Sequence, residues 1–461
     1  MNSPLTLDTI VIGAGLTGLT VGHHLLKAPN HKFAILEKEE RAGGQIRTLK
    51  KDGFTFESGP TSGIISTSEV ADLFEDFPNL LNLATPLAKR RMILKGQEFH
   101  PLPSGLISAI TTTLFSTKDK IRILGEPFRA KGTDPNESIG HLVKRRLGES
   151  YFHYAVDPFI GGIYAGDPEK LVTRHALPKL YALEANHGSF IKGAIALMKK
   201  KKTEDEKKIT KAIFSSHEGL STLTSALSDE FLKANSLKLG ALNIEVRFRE
   251  DLQLWQVTFY VKGEKEELFS RNLITTIGSL ELADTLKTEV NLTPITQLRY
   301  APIVQVALGY KSANSDIFAS FGGLIPSCED KEVLGILNPS ACFSDRCPKG
   351  GLLLSVFLGG MRSPHLIEQS DDYIKGLIRD KVARFINLKQ EPDLIEIFRH
   401  PRAIPQYEAS TDERLALIEK LEKLYPGLYI GGNIHDGIGM SDRIKQGASL
   451  ANKVLSNKTS A

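Results

Sequence analysis

The amino-acid sequence predicts an α/β fold with at least two structural domains. The chain has 461 residues, which is more than one hydrophobic core usually serves. It opens with a strand, a glycine-rich turn, a helix and a second strand, the order that builds a parallel sheet. After residue 242 it changes to β-rich runs separated by polar turns. With 41% apolar and 24% charged residues, the composition is that of a globular protein.

The opening βαβ unit lies within residues 9–38. The run TIVIGAG predicts a buried strand that ends in a turn, and LTGLTVGHHLLKA after it has helical periodicity. KFAILEK predicts a second buried strand, which the helical connection places parallel to the first. From about Leu73 to Met198 the pattern is helical, is broken by Pro and Gly, and contains no clear alternating strands. This stretch predicts an inserted helical region.

The second half of the chain predicts mainly strands. Residues 199–211, KKKKTEDEKKITK, contain almost no apolar side chain and predict an exposed loop or disordered linker at a domain boundary. The runs NIEVRFRED, LQLWQVTFYV and ELFSRNLITTIG predict an antiparallel meander that ends in a buried strand. Residues 300–360 predict the sheet of a second domain, and the helix DDYIKGLIRDKVARFI follows it.

Together these elements predict a Rossmann-type domain, a mixed-sheet substrate domain and an inserted helical region. The Rossmann-type domain takes three segments, residues 1–84, 212–281 and 400–461. The substrate-binding domain takes residues 282–399, and the helical region takes residues 85–211. Within the helical region, Ser189–Met198 runs into four lysines. An apolar face beside cationic charge is a candidate for peripheral membrane contact, and a solvated loop is the plainer alternative.

Charge and cysteine content exclude several classes of protein. The net charge of +4 is too small for nucleic-acid binding, and no Lys/Arg stripe with interleaved aromatic residues is present. The cysteines form no C-x-x-C pair, which argues against a disulfide framework and a zinc site: Cys328, Cys342 and Cys347. No signal peptide and no uninterrupted apolar window of about eighteen residues is found. The predicted location is therefore cytoplasmic, with contact at the inner face of the membrane left open.

The glycine-rich turn predicts a dinucleotide site. Gly13, Gly15 and Gly18 form G-x-G-x-x-G between a strand and a helix. The first allows a tight turn, the second lets a pyrophosphate approach the backbone, and the third lets helix and strand pack closely. Glu37 ends the second strand, where a carboxylate can accept hydrogen bonds from a ribose. No second such motif occurs, so the electrons must come from the substrate rather than from NADPH.

The residues that follow Glu37 favour FAD over NAD. Gly43, Gly44 and Arg47 form a G-G-x-x-R run, which resembles the amine oxidase and phytoene desaturase class of flavoproteins. The segment LYIGGNIHDGIGMSDRIKQG near the other end resembles the flavin-binding C-terminus of that superfamily. The resemblance implies non-covalent FAD held between the two ends of the chain. It implies these cofactor-binding residues: Gly13, Ala14, Gly15, Leu16, Thr17, Gly18, Glu37, Lys38, Gly43, Gly44, Gln45, Arg47, Gly59, Pro60, Thr61, Ser62, Gly432, Asn433, Gly437, Ile438, Gly439 and Met440.

Five further blocks resemble the oxygen-dependent protoporphyrinogen oxidases, a family within that superfamily, and they occur in that family's order. They are RMILKGQEFHPLPSG, DPFIGGIYAGDP, FSSHEGLSTL, FGGLIPSCEDKEVLGIL and AIPQY. The resemblance thus covers nearly the whole chain. The chain departs from the family pattern at Glu408 and Ala409, which replace a frequent Gly-His pair, and an aromatic-rich wall of the family is partly aliphatic here.

This resemblance implies a reaction and a substrate site. The reaction is the six-electron oxidation of protoporphyrinogen IX to protoporphyrin IX in heme biosynthesis, by three hydride transfers to FAD with dioxygen as acceptor. Arg91 matches the arginine that pairs with a substrate propionate, although it also ends the charge run Lys89–Arg91, which is otherwise typical of a solvated face. The other implied substrate-binding residues contact the macrocycle: Gly162, Phe321, Leu324 and Phe357.

Several alternatives stay open. Relatives in some bacteria oxidise coproporphyrinogen III to coproporphyrin III, and amine oxidases and carotenoid desaturases share the FAD scaffold. A non-catalytic carrier similar to Rab GDP-dissociation inhibitors is the alternative outside the enzymes. No histidine has a spacing that marks an acid–base or metal role, so no catalytic residue and no metal is assigned. Implied partners are the porphyrinogen and dioxygen, with ferrochelatase or another heme-pathway enzyme as a further candidate, and the chain is either a monomer or a homodimer.

Overall fold

A computed structural model describes residues 6–103, 105–201, 203–313 and 318–457 of the chain. The first sheet contains seven strands, numbered along the chain: β1 (Thr6–Ile12), β2 (Phe33–Leu36), β10 (Leu237–Lys238), β11 (Leu242–Arg249), β12 (Leu254–Val261), β13 (Glu264–Thr275) and β19 (Leu428–Ile430). Their order is β10-β2-β1-β13-β12-β11, and β19 also pairs with β13. The strands β10, β2, β1, β13 and β19 pair in parallel, whereas β11, β12 and β13 form the predicted antiparallel meander.

The second sheet is mixed. It contains β7 (Arg91–Lys95), β8 (Glu98–Pro101), β14 (Tyr300–Tyr310), β15 (Gly322–Leu324), β16 (Val333–Leu337), β17 (Leu352–Gly359) and β18 (Leu394–Pro405). Their order is β18-β14-β17-β16-β15-β7-β8, and only β15 and β7 pair in parallel among these described strands. Two small sheets pair β3 (Thr48–Lys51) with β4 (Phe54–Glu57), and β9 (Ile213–Ser216) with both β5 (Gly63–Ile64) and β6 (Leu81–Leu83).

The α-helices fall into three groups. Those that flank the first sheet are α1 (Leu16–Leu26), α2 (Ser68–Asp76), α12 (Ser221–Lys233), α13 (Ser279–Thr285), α14 (Thr293–Thr296), α18 (Thr411–Leu424) and α19 (Met440–Asn457). The inserted region contains α3 (Leu106–Thr111), α4 (Thr117–Leu124), α5 (Ile139–Arg146), α6 (Glu149–Tyr151), α7 (Asp157–Tyr164), α8 (Thr173–Ala176), α9 (Pro178–His187), α10 (Phe190–Lys199) and α11 (Glu204–Lys208). The second domain adds α15 (Pro339–Cys342), α16 (Asp371–Leu377) and α17 (Ala383–Phe385).

Apolar periodicity explains how the first sheet is covered. On β12 every second side chain is buried, and these side chains pack with α13 and α18 on one face: Trp255, Val257 and Phe259. On the other face α1 and α19 pack together against β1 and β2, and their buried residues recur at helical spacing: Leu19, Val21, Leu25, Ile444, Leu450 and Val454. This three-layer arrangement is the one that the βαβ pattern predicts.

A buried network of charges holds the inserted region together. The guanidinium of Arg146, which is fully buried, forms an ion pair with the fully buried Glu126 and lies 3.3 Å from Glu184. Arg145 binds Glu184 at 2.9 Å and Glu137 at 2.7 Å. Because each buried charge has an opposite partner, α5 and α9 are tied to each other and to the turn that precedes α5.

The structure confirms the α/β fold class with a mixed second sheet and an inserted helical region. Three details of the sequence interpretation need correction. Residues 91–101, predicted to be helical, form the hairpin β7–β8 at the end of the second sheet. Residue 400, predicted to begin a segment of the first domain, lies inside β18 of the second sheet. The predicted linker 199–211 contains the short helix α11. Residues 1–5, 202 and 458–461 of the predicted segments lie outside the described residues.

Candidate functional site

The carboxyl ends of four parallel strands lie level at one edge of the first sheet. Ile12 of β1 pairs with Leu36 of β2 and with Thr275 of β13, and Thr275 pairs with Ile430 of β19. Ligands of open α/β sheets bind at this edge, where strands give way to loops. We name the loops that meet there the cofactor edge, and it consists of Gly13–Gly18, Glu37, Gly43–Arg47, Gly59–Ser62, Thr276 and Gly432–Met440.

Each glycine of the first turn has a different steric environment. Gly13 has φ +100°, and a Cβ at this position would lie 2.8 Å from Thr276 Oγ1. A Cβ at Gly18 would lie 1.9 Å from the carbonyl oxygen of Gly13, so α1 approaches β1 this closely only with glycine. At Gly15, no heavy atom of the described chain lies within 4 Å of where a Cβ would be. The turn is therefore packed on two sides and open on the side of Gly15.

The carboxylate of Glu37 is fixed beside this turn. Its Oε2 accepts a hydrogen bond from the N–H of Ala14 at 2.7 Å, and its Oε1 accepts one from the N–H of Glu39 at 3.0 Å. Each oxygen can accept a further bond from a ligand. The ammonium of Lys38, the next residue, lies 3.8 Å from Glu281 on α13. Glu37 thus belongs to the cofactor edge.

The second glycine pair lies directly against the first turn. Gly43 donates its N–H to the carbonyl oxygen of Ala14 at 2.8 Å. Gly44 has φ +57°, and a Cβ there would lie 3.1 Å from the Cα of Gly15. The side chains of Gln45 and Arg47 are exposed. The two glycine turns are therefore in direct contact, and Gly15 stays open in the direction that a Cβ would take.

Arg41 also belongs to this turn, and the sequence interpretation missed it. Its Nη2 donates to the carbonyl oxygen of Gly44 at 2.7 Å, and its Nη1 donates to that of Ile46 at 3.0 Å. The guanidinium thus holds the backbone of the second glycine turn. The signal was present in the sequence, since Arg41 precedes the glycine pair by two residues.

The third turn, Gly59–Ser62, follows β4. A Cβ at Gly59 would lie 2.1 Å from the carbonyl oxygen of Gln45, so the third turn packs on the second. Pro60, Thr61 and Ser62 are partly exposed. The turn is preceded by a buried carboxylate, Glu57.

Glu57 anchors this turn to α12. Its carboxylate accepts hydrogen bonds from the N–H of Leu220 and from the hydroxyl of Thr48, both at 2.8 Å. Burial raises the pKa of Glu57, although these two hydrogen bonds oppose the rise. The backbone oxygen of Glu57 accepts a bond from the side chain of Gln305 on β14 at 2.9 Å. The second sheet therefore touches the cofactor edge at this point.

The last turn, between β19 and α19, lies next to the first. Gly432 has φ +91°, and a Cβ there would lie 2.9 Å from the backbone oxygen of Thr276. The hydroxyl of Thr276 lies 3.1 Å from the carbonyl oxygens of Ile12 and Gly13, so Thr276 joins the two turns. The sequence interpretation missed Thr276, although it follows a buried strand as Gly13 does. The other predicted residues of this turn follow in order: Asn433, Gly437, Ile438, Gly439 and Met440.

Three of the predicted substrate residues lie on one face of the second sheet, two on the strands β15 and β17 and one on the helix α7 that packs on this face. Leu324 of β15 pairs with Gly335 of β16, Gly335 pairs with Phe357 of β17, and Phe357 pairs with Gln305 of β14. Residues paired across strands share a face, so Leu324 and Phe357 lie on the face whose Gln305 reaches Glu57. Gly162 of α7 covers Leu324, because a Cβ at Gly162 would lie 2.4 Å from Leu324 Cδ2.

Arg91 and Phe321 extend this surface at its outer end. Arg91 of β7 pairs with Gly322 of β15, and its guanidinium carbon lies 5.6 Å from the ring centroid of Phe321. Arg91 is exposed and Phe321 is half-buried. The structure thus places Arg91, Leu324 and Phe357 on one face of the second sheet, with Gly162 against Leu324 and Phe321 beside Arg91. We name this surface the substrate wall, and it consists of Arg91, Gly162, Phe321, Leu324 and Phe357.

A model of the flavin-containing amine oxidoreductase family matches the chain over residues 16–455. The chain belongs to this family. As a flavin-containing amine oxidoreductase it is an FAD-dependent oxidoreductase. No helix within the described ranges is long and apolar enough to cross a membrane.

Relatives and a solved structure agree with the family over almost the whole length. The chain is 29% identical to the mitochondrial protoporphyrinogen oxidase of Nicotiana tabacum, across 97% of this chain and 94% of that protein. It is 25% identical to the coproporphyrinogen III oxidase of Bacillus subtilis, across 97% of both chains. A crystal structure of a candidate protoporphyrinogen oxidase from Exiguobacterium sp. 255-15 has the same fold, with a TM-score of 0.79 at 21% identity, over 98% of this chain and 99% of that one.

The cofactor edge fits the FAD of this family. The open side of Gly15, beside the turn that contains Gly44, leaves a cradle for a diphosphate that a Cβ would fill. The N-terminus of α1 begins at Leu16 and directs its free N–H groups and positive dipole end to that cradle. The two free acceptor positions on Glu37 suit ribose hydroxyl groups.

Proposed function

We propose that this flavoenzyme oxidises protoporphyrinogen IX to protoporphyrin IX in heme biosynthesis, with dioxygen as the electron acceptor. The observation that carries the proposal is the substrate wall, an apolar surface with one arginine at its rim that meets the cofactor edge through Gln305 and Glu57. A flat macrocycle with carboxylate side chains matches such a surface. Relatives that share the whole length of the chain are named as protoporphyrinogen oxidases.

The overall reaction removes six hydrogens from the porphyrinogen and converts three dioxygen molecules into three of hydrogen peroxide. When bound, FAD supplies the two-electron acceptor for each of the three hydride transfers and passes the electrons to dioxygen. The protein supplies binding, orientation and exclusion of water. We propose no side chain as an acid or base in this reaction.

Each residue of the substrate wall has a proposed part in binding. Arg91 binds a propionate through paired charged hydrogen bonds, since its guanidinium is exposed and only its aliphatic stem and the ring of Phe321 support it. Leu324 and Phe357 contact the face of the macrocycle. Gly162 has no side chain, so Leu324 packs directly against α7 and does not extend into the space for the ring.

Each turn of the cofactor edge likewise has a proposed part in binding FAD. We propose that the diphosphate lies against the open side of Gly15, beside Gly44, that Glu37 binds the ribose, and that the third and last turns bind the rest of the cofactor. The first sheet then carries FAD and the second carries the porphyrinogen. Residues 91–101 and the strand around residue 400 belong to the second of these domains in this division.

Coproporphyrinogen III is the second candidate substrate, because coproporphyrinogen III oxidases of two bacteria also match the whole chain. The experiment compares the rates on the two porphyrinogens under air, with porphyrin fluorescence and peroxide as readouts. A higher kcat/KM on protoporphyrinogen supports the proposal, and a higher value on coproporphyrinogen replaces it. Turnover of neither, in a protein that holds FAD, would overturn porphyrinogen oxidation altogether.

We further propose that the inserted region contacts a membrane surface. Large apolar side chains on α3, α4, α10 and the turn after α4 are mostly exposed: Ile107 (80%), Ile110 (71%), Leu124 (71%), Phe128 (88%) and Met198 (86%). Soluble proteins seldom leave such side chains clustered in solvent. Lys199 ends α10, Lys200 and Lys201 follow it, and the three add cationic charge beside this surface. Lys202, the last of the predicted basic run, lies outside the described residues.

The test is co-sedimentation with vesicles that contain anionic phospholipid. Phe128→Asp together with Met198→Asp should abolish binding, whereas Leu232→Asp, at a half-exposed leucine on α12 of the other domain, should leave it unchanged. Equal sedimentation of wild type and both variants would exclude this contact.

A further inference from the structure

Buried side chains bind five successive backbone carbonyl oxygens of the turn before α19, those of residues 433–437. The hydroxyl of Tyr407 lies 2.8 Å from the first and the last of these oxygens. The Nε of Arg414 donates to the second at 2.9 Å. Burial raises the pKa of Tyr407, so its hydroxyl remains a donor over the working range of pH.

Arg443 binds the remaining carbonyls. Its Nη2 lies 3.0, 3.0 and 2.9 Å from the oxygens of residues 435, 436 and 437, and its Nη1 donates to Gln446 at 2.8 Å. The same Gln446 oxygen accepts the N–H of Gly432 at 2.8 Å, so Arg443 also supports the start of the turn. The guanidinium therefore sits in a cage of backbone oxygens.

Neither arginine has a carboxylate partner within 4.0 Å in the part of the chain that the structure describes. Arg414 is fully buried, and the Nε of Arg443 and the Nη1 of Arg414 are buried without a hydrogen-bond partner. Asp436 and Asp442 are near enough to interact electrostatically with Arg443, whereas Arg414 is a buried cation without an acidic partner, which is costly unless a nearby anion compensates it. The cofactor edge, where FAD brings two phosphate charges, is adjacent to this turn through Thr276 and Gly432.

The direction of the carbonyl oxygens in this turn also fixes the direction of its N–H groups. The described chain contains no cis peptide bond, so the N–H of each peptide points opposite to its C=O. Because the oxygens of residues 433–437 face Tyr407, Arg414 and Arg443, the N–H groups of residues 434–438 face away from them. A turn held in this way presents donors rather than acceptors to an anionic or carbonyl-bearing ligand.

We propose that Tyr407, Arg414 and Arg443 are positioning residues for FAD. They hold the turn 432–439 by its carbonyl oxygens, so that its N–H groups are aligned before the cofactor binds, and the guanidinium of Arg414 adds positive charge behind it. The proposal depends on FAD binding and not on which substrate the enzyme oxidises.

The test is a titration of the full chain, depleted of flavin, with FAD, followed by flavin absorbance and fluorescence. Arg443→Met should weaken FAD binding by about thirtyfold or more, because the charged hydrogen bonds that the Nη2 group donates to the carbonyl oxygens of the turn are lost. Tyr407→Phe, which removes one hydroxyl and keeps the ring, should weaken binding by about three- to tenfold. Lys445→Met is the matched control, since Lys445 is an exposed cation on the same helix, and it should change binding by less than about twofold.

Thermal unfolding with and without saturating FAD separates positioning from folding. The variants Tyr407→Phe and Arg443→Lys should keep the Tm of the flavin-free chain and show a smaller rise of Tm on addition of FAD. An unchanged dissociation constant in Tyr407→Phe and Arg443→Met would overturn the proposal. A loss of Tm in the flavin-free chain that accounts for all of the weakened binding would overturn it as well. Neither readout requires a porphyrinogen.

Discussion

The cofactor edge and the substrate wall are built from different parts of the chain. The cofactor edge is made of backbone, and its glycines are required because a Cβ would meet a main-chain atom, as at Gly18 and Gly59. The substrate wall is made of side chains on three strands and a helix, and a Cβ at Gly162 would meet only the end of a leucine. A site made of backbone therefore tolerates few residue types, whereas a site made of side chains can accept many residue types. This difference predicts which substitutions weaken FAD binding and which weaken substrate binding.

The largest expected effect comes from the buried ion pair behind the substrate wall. Arg362 lies 3.0 Å from Asp157 at the start of α7, and it donates to the backbone oxygens of Asp157 and Ile325, each at 2.9 Å. A Cβ at Gly161 would lie 2.6 Å from this guanidinium. Arg362→Met leaves a buried carboxylate without its cation. The free energy of unfolding, measured by chemical denaturation, should therefore fall by about 3–5 kcal/mol.

The same variant tests whether the two regions are independent. Arg362→Met should raise KM for the porphyrinogen and leave the dissociation constant of FAD within about twofold of wild type. Adding Asp157→Asn should recover part of the lost stability, because the unpaired charge is removed as well. If FAD binding weakened as much as substrate binding, the wall and the edge would not be separate units.

The second prediction compares two glycines of one turn. Gly18→Ala places a Cβ 1.9 Å from the carbonyl oxygen of Gly13, so it should cost about 1–3 kcal/mol or more of folding free energy with or without FAD. Gly15→Ala meets no atom of the described chain and should keep the Tm of the flavin-free protein. It should nevertheless weaken FAD binding by about tenfold or more, because its methyl group enters the cradle for the diphosphate.

Thermal unfolding with and without FAD measures both variants. A Gly15→Ala protein that binds FAD as tightly as wild type would mean that the diphosphate does not lie against this turn. A Gly18→Ala protein of normal stability would contradict the packing of α1 on β1.

The same contrast explains how much of the site the sequence could predict. Each glycine of the first turn was predicted from the sequence, because a tight turn, a backbone that a pyrophosphate can approach and a helix packed closely on a strand each require glycine. Glu37 was predicted from its place at the end of the second strand. Arg41 and Thr276 were missed, since an arginine or a threonine beside a turn has many other uses. The hairpin β7–β8 was missed because its partner β15 lies more than two hundred residues away in the chain, and a short edge hairpin has no periodicity of its own.

The third prediction concerns a smaller change in the wall. At Gly162, the nearest atom to a new Cβ is Leu324 Cδ2 at 2.4 Å, the end of a side chain that can rotate. Gly162→Ala should therefore change the unfolding free energy by less than about 1 kcal/mol. It should raise KM for the porphyrinogen by about tenfold, with kcat and FAD affinity retained, because the methyl group displaces the Leu324 side chain into the space for the ring.

Gly376→Ala, on α16, serves as its control, since a Cβ there meets no atom of the described chain. That variant should leave the kinetic constants unchanged. An unaltered KM in Gly162→Ala would remove Gly162 from the substrate wall.

The smallest expected effect lies where the two regions meet. His400 of β18 is mostly buried and hydrogen bonds to the backbone of Ser58, which precedes the third turn of the cofactor edge. Burial lowers the pKa of His400, and this hydrogen bond only partly opposes the shift. Its Nε2 is buried and has no hydrogen-bond partner among the described residues, so protonation would place an unpaired charge there.

The sign of the pH dependence follows from this depressed pKa. Below about pH 6.5 the unfolded chain takes up a proton at His400 more readily than the folded chain does, so the contribution of His400 to stability falls as the pH falls. His400→Gln cannot be protonated, and its amide can still donate to Ser58. The unfolding free energy of the variant should therefore fall less steeply than that of wild type between about pH 6.5 and pH 5. If the unfolding free energies of wild type and variant fell in parallel with pH, His400 would not titrate in this range. The junction between the cofactor edge and the second sheet would then carry no titrating group, and the two regions would respond to pH separately.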